Sequence, residues 1–247
     1  MRSVFIAPFA TAAAFALCAS SASAAPITSI SDAFGSTVAS PLHKRADGYK
    51  DPKSGGGSSL GLFPDNANGE PLNVIVSGKS SAEILSEDGF KAWYNAIGFN
   101  RECFGIHSGT KMQANLGDGQ GESVTHTDEV RESYGEDTTS GSCFESLVGG
   151  NHFRYWQQAG TNAWFLAASV EKDVSQKHDV VEDGYNKGRD EIVGLATRGA
   201  DSDDGKHYAA TVKYVTGLLP TGTNGINHGD EGVGVDGRTA IITVTVS

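Results

Sequence analysis

The chain has 247 residues, with 30 acidic against 19 basic ones and a formal net charge of −11. That balance repels phosphate backbones and anionic lipid surfaces, so neither nucleic acid nor a membrane is expected as a partner. The length is that of one domain with a sizeable core once a leader is discounted.

The leader comes first. Residues 1–24 read as a signal peptide: a basic start at Met1-Arg2-Ser3, an apolar run from Val4 to Ala19, and Ala22-Ser23-Ala24, the small-x-small pattern cut after Ala24. A bilayer-crossing helix needs roughly 20 strongly apolar residues, and this run is shorter and rich in Ala. Residues 25–45 form a propeptide-like segment that ends at Lys44-Arg45. The dibasic pair is similar to the cleavage site of the kexin-type protease of fungi, and it stands where a protease can reach the backbone; two solvated charges are the plainer reading. Cutting there removes Arg2, Asp32, Lys44 and Arg45 with the leader and leaves a more acidic chain, expected to be secreted. Of three cysteines, Cys18 leaves with the signal. Cys103 and Cys143 remain, an even pair in an exported chain, and are expected to form one disulfide. A closed loop of about 40 residues contributes ~4 kcal/mol in the chain-entropy picture. No Asn-x-Ser/Thr sequon occurs.

Residues 46–70, with Gly55-Gly56-Gly57 near the centre, read as a flexible arm. The domain is expected over 71–247. Leu72 to Gly78 is a short strand with a turn after it. Ser80-x-x-Glu83 has the form of a capping box. Phe90, Trp93, Tyr94 and Ile97 then recur at the helical period, with Asp88-Gly89 breaking the pattern into two pieces and Gly98 as a stop. Between Asn100 and Gly150 the signals weaken into a long insert that the disulfide would hold. Asn151 to Trp156 and Ala163 to Ala168 are two strands of a hairpin, the second apolar on both faces as a central strand is. Asp183 to Thr197 is a second helix, capped by Asp183 or Asn186, with Tyr185, Ile192, Leu195 and Ala196 as its buried stripe. His207–Val215 and Thr239–Val246 are strands separated by a Gly-rich loop. The order predicts an α+β single domain: a ferredoxin-like split β-α-β sheet with helices on one face, an extra C-terminal strand and the disulfide-closed insert.

Strand alternation puts His152, Arg154 and Trp156 on one face and Phe153 and Tyr155 on the other. Such a face could bind an anion or a sugar ring; equally, Arg can simply stack on Trp. Arg189 stands early in its helix, where the dipole disfavours a cation, so a specific partner such as Asp179 or Asp183 is expected. A buried ion pair pinning helix to hairpin is one reading; a site built from His152, His178 and Asp190 is another. Two His and a carboxylate could hold a metal, but no spacing demands one, and no metal or cofactor is assigned. Gly117 to Gly121 lacks the strand and helix of a phosphate cradle, and no Gly-x-Ser-x-Gly or His-Glu-x-x-His occurs.

Several of these pieces resemble the LssY C-terminal-like domain: Pro71-Leu72-Asn73-Val74 to Gly78, Ala96-Ile97-Gly98-Phe99, His152-Phe153-Arg154-Tyr155-Trp156, Trp164 to Ala168, His178, and Gly188-Arg189-Asp190, in that order. The resemblance covers roughly residues 71–197. It departs from the bacterial pattern in the Cys103 to Cys143 insert and in lacking the membrane phosphatase often joined to that domain, so it implies no phosphatase chemistry. Secreted fungal chains with a signal, a dibasic site and this domain look similar. The expectation is therefore an extracellular binding protein acting on a glycan or protein at a cell wall or host surface. The alternative is a hydrolase of an anionic substrate, with His152 or His178 as general acid-base and Arg154 or Arg189 holding the anion.

Overall fold

A computed structural model of the chain describes residues 48–65, 67–101, 110–125, 129–135 and 138–247. All belong to the compact unit His43–Ser247. The signal peptide, Lys44, Arg45 and Cys103 lie outside the described residues, so the leader, the dibasic cut and the Cys103–Cys143 bridge are not described.

The molecule is α+β. Its elements are β1 (Leu60–Leu62), β2 (Gly69–Pro71), β3 (Val74–Val76), α1 (Glu87–Ala96), β4 (Phe99–Arg101), β5 (Gln113–Ala114), β6 (Val124–Thr125), β7 (Val130–Glu132), α2 (Thr138–Val148), β8 (Gly150–Gln157), β9 (Trp164–Glu171), α3 (Gly184–Arg198), β10 (Ala200–Asp201), β11 (His207–Thr216) and β12 (Arg238–Val246). Eight strands form a mixed sheet in the order β10-β11-β12-β3-β9-β8-β7-β4, and a smaller sheet runs β2-β1-β5-β6. The last strand, β12, lies between β3 and β11, parallel to the first and antiparallel to the second. β8 and β9 pair antiparallel over their full length, from Gly150↔Glu171 to Gln157↔Trp164.

Alternation along these strands builds two cores. On one face Phe153, Tyr155, Trp164, Leu166, Val74 and Ile242 pack beneath α1 and α3 with Phe90, Trp93, Tyr94 and Ile192. Phe90 stacks on Trp164 at 4.6 Å and 17°, and the Trp164 indole donates to Ile84 O at 2.8 Å, so a large apolar ring keeps its polar atom satisfied. Each fully buried large side chain of this kind stabilises by about 1.5–3 kcal/mol. On the opposite face Ile75, Phe165, Ala167, Trp156 and Ile241 pack with Leu72, Met112, Ala114 and Leu116.

The N-cap of helix α1 is Ser86, not the Ser80 of the capping box. Ser86 accepts from Gly89 N, whereas Ser80 and Ser81 turn their hydroxyls to the amides of Val244 and Val246 and tie a 3-10 turn, Ala82–Leu85, to β12. The segment expected to be a flexible arm is, from Gly48 onward, part of the fold. It supplies β1 and β2, and Ser59, Gly61, Gly69 and Glu70 are buried. α2 and β4 to β7 were not foreseen, and α2 departs from the one-face arrangement: its Glu145 reaches Arg131, on the face turned away from the first core. No helix of the described residues is long and apolar enough to cross a membrane.

Candidate functional site: a buried carboxylate, arginine and histidine cluster

The register of three strands assembles the site. His152 on β8 stands opposite Ser169 on β9 and Arg131 on β7. Period-two alternation adds Arg154 and Glu171 to that face, and Glu129, just before β7, on the side of Arg131. Glu70 arrives from β2 and Glu145 from α2.

The contacts are close. Arg154 Nη1 donates to both oxygens of Glu70, at 2.9 and 3.2 Å. Arg154 Nη2 and Arg131 Nη2 each lie 3.3 Å from Glu129 Oε2. Arg131 Nη1 lies 2.6 Å from Glu145 Oε2 and 3.7 Å from Glu171 Oε2. His152 Nε2 lies 3.1 Å from Glu129 Oε1 and 3.4 Å from Glu171 Oε1. One ligand atom from each of Glu129, His152 and Glu171 falls within 4.8 Å of the others. His178 Nδ1 is 3.7 Å from Glu171 Oε2. Its backbone, like that of Lys177 before it, is in the left-handed region at φ 58°, a conformation that costs energy for a side chain of this kind and is held by its surroundings.

Water is excluded from most of this cluster. His152 and Glu145 are 0 % exposed and Glu129 2 %; only Glu171 (12 %) and His178 (19 %) form a rim. Burial first, then the Arg131 and Arg154 guanidiniums, holds the His152 imidazole well below its usual range, so the ring is neutral. Burial also raises the carboxyls. Glu70 goes up despite Arg154, Glu145 to about 7 despite Arg131, and Glu171 well above the ordinary value, with Glu129 adding to the push. For Arg154, burial is outweighed by Glu70, Glu129 and Glu171, and the guanidinium is held more firmly charged than usual.

Of the residues singled out in the sequence, His152, Arg154 and His178 meet here. Trp156 shares the face but serves the second core, and Arg154 lies over the Phe63 ring at 5.9 Å rather than on Trp156. Arg189 and Asp190 stand apart from it. Arg189, 1 % exposed, pairs with Asp190 and Asp236, donates to Arg238 O at 3.0 Å, and lies 5.4 Å from the Tyr214 ring centre. Its partners are therefore not Asp179 or Asp183, and it ties α3 to β11 and β12 rather than to the hairpin. Asp190 accepts from Tyr214, so the combination His152, His178 and Asp190 does not form. The carboxylates that do converge, Glu70, Glu129, Glu145 and Glu171, were missed. For Glu129 and Glu171 a signal existed: Glu129-x-Arg131 and Ser169-x-Glu171 carry the alternation of the strands beside His152.

A second group, Asp179, His228 and Glu231, brings ligand-type atoms within 4.8 Å of one another nearer the surface. Compared with protein-family models, with curated proteins and with solved structures, the chain matches none of them.

Proposed function

We propose that the protein is a secreted binding protein that acts through a protein–protein contact on the outer face of α2. The carrying observation is the exposure of Phe144, Leu147 and Val148, at 55, 54 and 60 %, at the i, i+3, i+4 spacing of a single helix face. Val174, in a short turn packed against α2, adds 45 % exposure beside them. Contiguous apolar surface of this kind marks interaction sites on soluble proteins. These four side chains carry no hydrogen-bonding groups for sugar hydroxyls, so between the two ligand classes expected from the sequence they favour a protein with an apolar surface.

The hydrolase reading has less support. His152 is fully buried, and both terminal nitrogens of the nearly buried Arg154 already face Glu70 and Glu129, so neither side chain is presented to a substrate in solvent. Export, cleavage after Arg45, the Cys103–Cys143 bridge and kinship with LssY C-terminal-like domains belong to the same proposal. For the kinship, the support is that His152 and Arg154, from one stretch of the resemblance, and His178, from another, meet in one cluster.

The test compares the wild-type chain with Phe144→Asp/Leu147→Asp. Both are assayed for retention on defined extracellular proteins and on wall glycans, and for turnover of ester, phosphoester and glycoside substrates with and without divalent cations. Retention by a protein that the variant loses, with no turnover by either chain, supports the reading. Turnover that Glu171→Gln abolishes, or retention by glycan alone that survives in the variant, overturns it. Intact-mass measurement of the exported chain checks the rest: it should begin at Ala46 and lack the two hydrogens of a reduced cysteine pair.

A further inference from the structure

One nitrogen and three oxygens converge inside the sealed cluster. His152 Nε2 faces Glu129 Oε1 at 3.1 Å, Glu171 Oε1 at 3.4 Å and Ser169 Oγ at 3.4 Å. An imidazole Nε2 carries at most one hydrogen and can serve one of these oxygens well. The two longer separations exceed an ordinary N–H···O bond, whose heavy atoms stand about 2.9–3.0 Å apart. They fit another arrangement. Around a four-coordinate ion with bonds of about 2.0–2.2 Å, neighbouring ligand atoms stand roughly 3.3–3.6 Å apart.

Charge gives a separate indication. Four carboxylates, Glu70, Glu129, Glu145 and Glu171, share the cluster with the two guanidiniums of Arg131 and Arg154. Its acidic groups outnumber its guanidiniums by two, and out of contact with water that difference has to be made up by protons or by a cation. Among the described residues Glu171 Oε2 and Glu145 Oε1, both shielded from solvent, make no hydrogen bond, so protein groups do not fully satisfy the carboxylates of the cluster. The arginines meanwhile bind the outer oxygen of Glu129, Oε2, and leave Oε1 turned inward toward His152. Outer partners of this kind orient the ligands of metal sites.

We propose that Glu129, His152 and Glu171 form a binding site for a divalent first-row transition cation of the zinc type, with Ser169 Oγ at the fourth corner. The mixed nitrogen and carboxylate set selects such an ion over calcium or magnesium, which take oxygen ligands. His178, at the rim, lies 3.7 Å from the other oxygen of Glu171. Burial makes the site structural: the ion cross-links β7, β8 and β9 and neutralises the cluster. Nothing in this proposal depends on the α2 contact, and either can fail alone.

The experiment uses the secreted chain, stripped with chelator and titrated with zinc by calorimetry, then with cobalt read by visible absorption. The expected result is one ion per chain, a higher unfolding midpoint on binding, and a cobalt spectrum of four-coordinate type. Glu129→Gln and Glu171→Gln should each weaken that ion by more than about 100-fold, beyond the loss seen when only an outer partner is removed. His228→Ala, in the surface group, should leave it unchanged. Circular dichroism checks that the variants fold; Glu171, at the rim, is the replacement best tolerated, and the wild-type cobalt spectrum needs no variant. The proposal is overturned if the wild-type chain binds no stoichiometric ion, if its cobalt spectrum is six-coordinate, or if the tight ion survives Glu171→Gln and is lost in His228→Ala.

Discussion

At the scale of single residues, the buried charges are bound more tightly to one another than to the surrounding framework. Arg154 holds both oxygens of Glu70 and approaches Glu129, and all three are nearly sealed from water. Removing the guanidinium leaves two carboxylates facing a low-dielectric interior. Arg154→Ala should therefore cost about 3–5 kcal/mol, the range for breaking a buried pair. Adding Glu70→Gln should return part of that loss, because the neutral amide no longer needs a counter-charge. Urea unfolding of the two single variants and the double variant measures the coupling, and strictly additive losses would show that the pair is not a unit. This pairing was not legible in the sequence. Alternation placed His152 and Arg154 on one face, but Glu70 is 84 positions from Arg154 and sits in a Gly- and Pro-rich stretch that reads as solvated chain. A carboxylate in such a stretch carries no local mark of burial; only the folding of β2 against the hairpin gives it one.

At the scale of elements, the hairpin and α3 were legible because their burial follows a simple period. α2 and the strands β4 to β7 were not: the strands are two or three residues long, and α2 opens on Thr-Thr-Ser-Gly-Ser, residues that favour turns over helix interiors. The contact between α3 and β9 shows how closely the legible pieces meet. A Cβ at Gly188 would stand 2.7–2.8 Å from the backbone N, Cα and C of Ser169, whereas one at Gly194 would meet nothing within 4 Å. Ala is the better helix former by about 1 kcal/mol, so propensity alone favours both replacements. Packing reverses the sign at one of them. Gly194→Ala should stabilise by about 0.5–1 kcal/mol. Gly188→Ala should destabilise by about 1–3 kcal/mol, since backbone rather than a flexible side chain has to move. It should also disturb the bond from Asn151 Nδ2 to Gly188 O. Thermal unfolding of the two variants decides the matter, and equal shifts of the same sign would mean that α3 is not seated this closely on the sheet.

At the scale of the whole molecule, the raised carboxyls set how stability depends on pH. Burial lifts Glu145 to about 7, with Arg131 opposing and Glu129 and Glu132 adding to the rise. Burial and Glu191 raise Glu132; burial raises Glu191, against the Asn151 hydrogen bond and Lys187. In the unfolded chain these groups titrate near 4.5. Between about 4.5 and about 7 the folded protein therefore holds protons that the unfolded chain has released, and stability must fall as pH rises through that window. The opposite contribution lies lower. Burial works against Asp190 and Asp236, but hydrogen bonds from Arg189 outweigh it and hold both below 3.8, so the stability they add is lost only as pH drops beneath that value. With chelator present, the urea midpoint should be higher at pH 5 than at pH 8. General repulsion at a net charge of −11 acts in the same direction, so Glu145→Gln is the control: it removes the buried proton site while changing the overall charge by one. The variant should show a visibly shallower decline than the wild type. If the two decline in parallel, the slope comes from the surface and the buried carboxyls are ionised throughout.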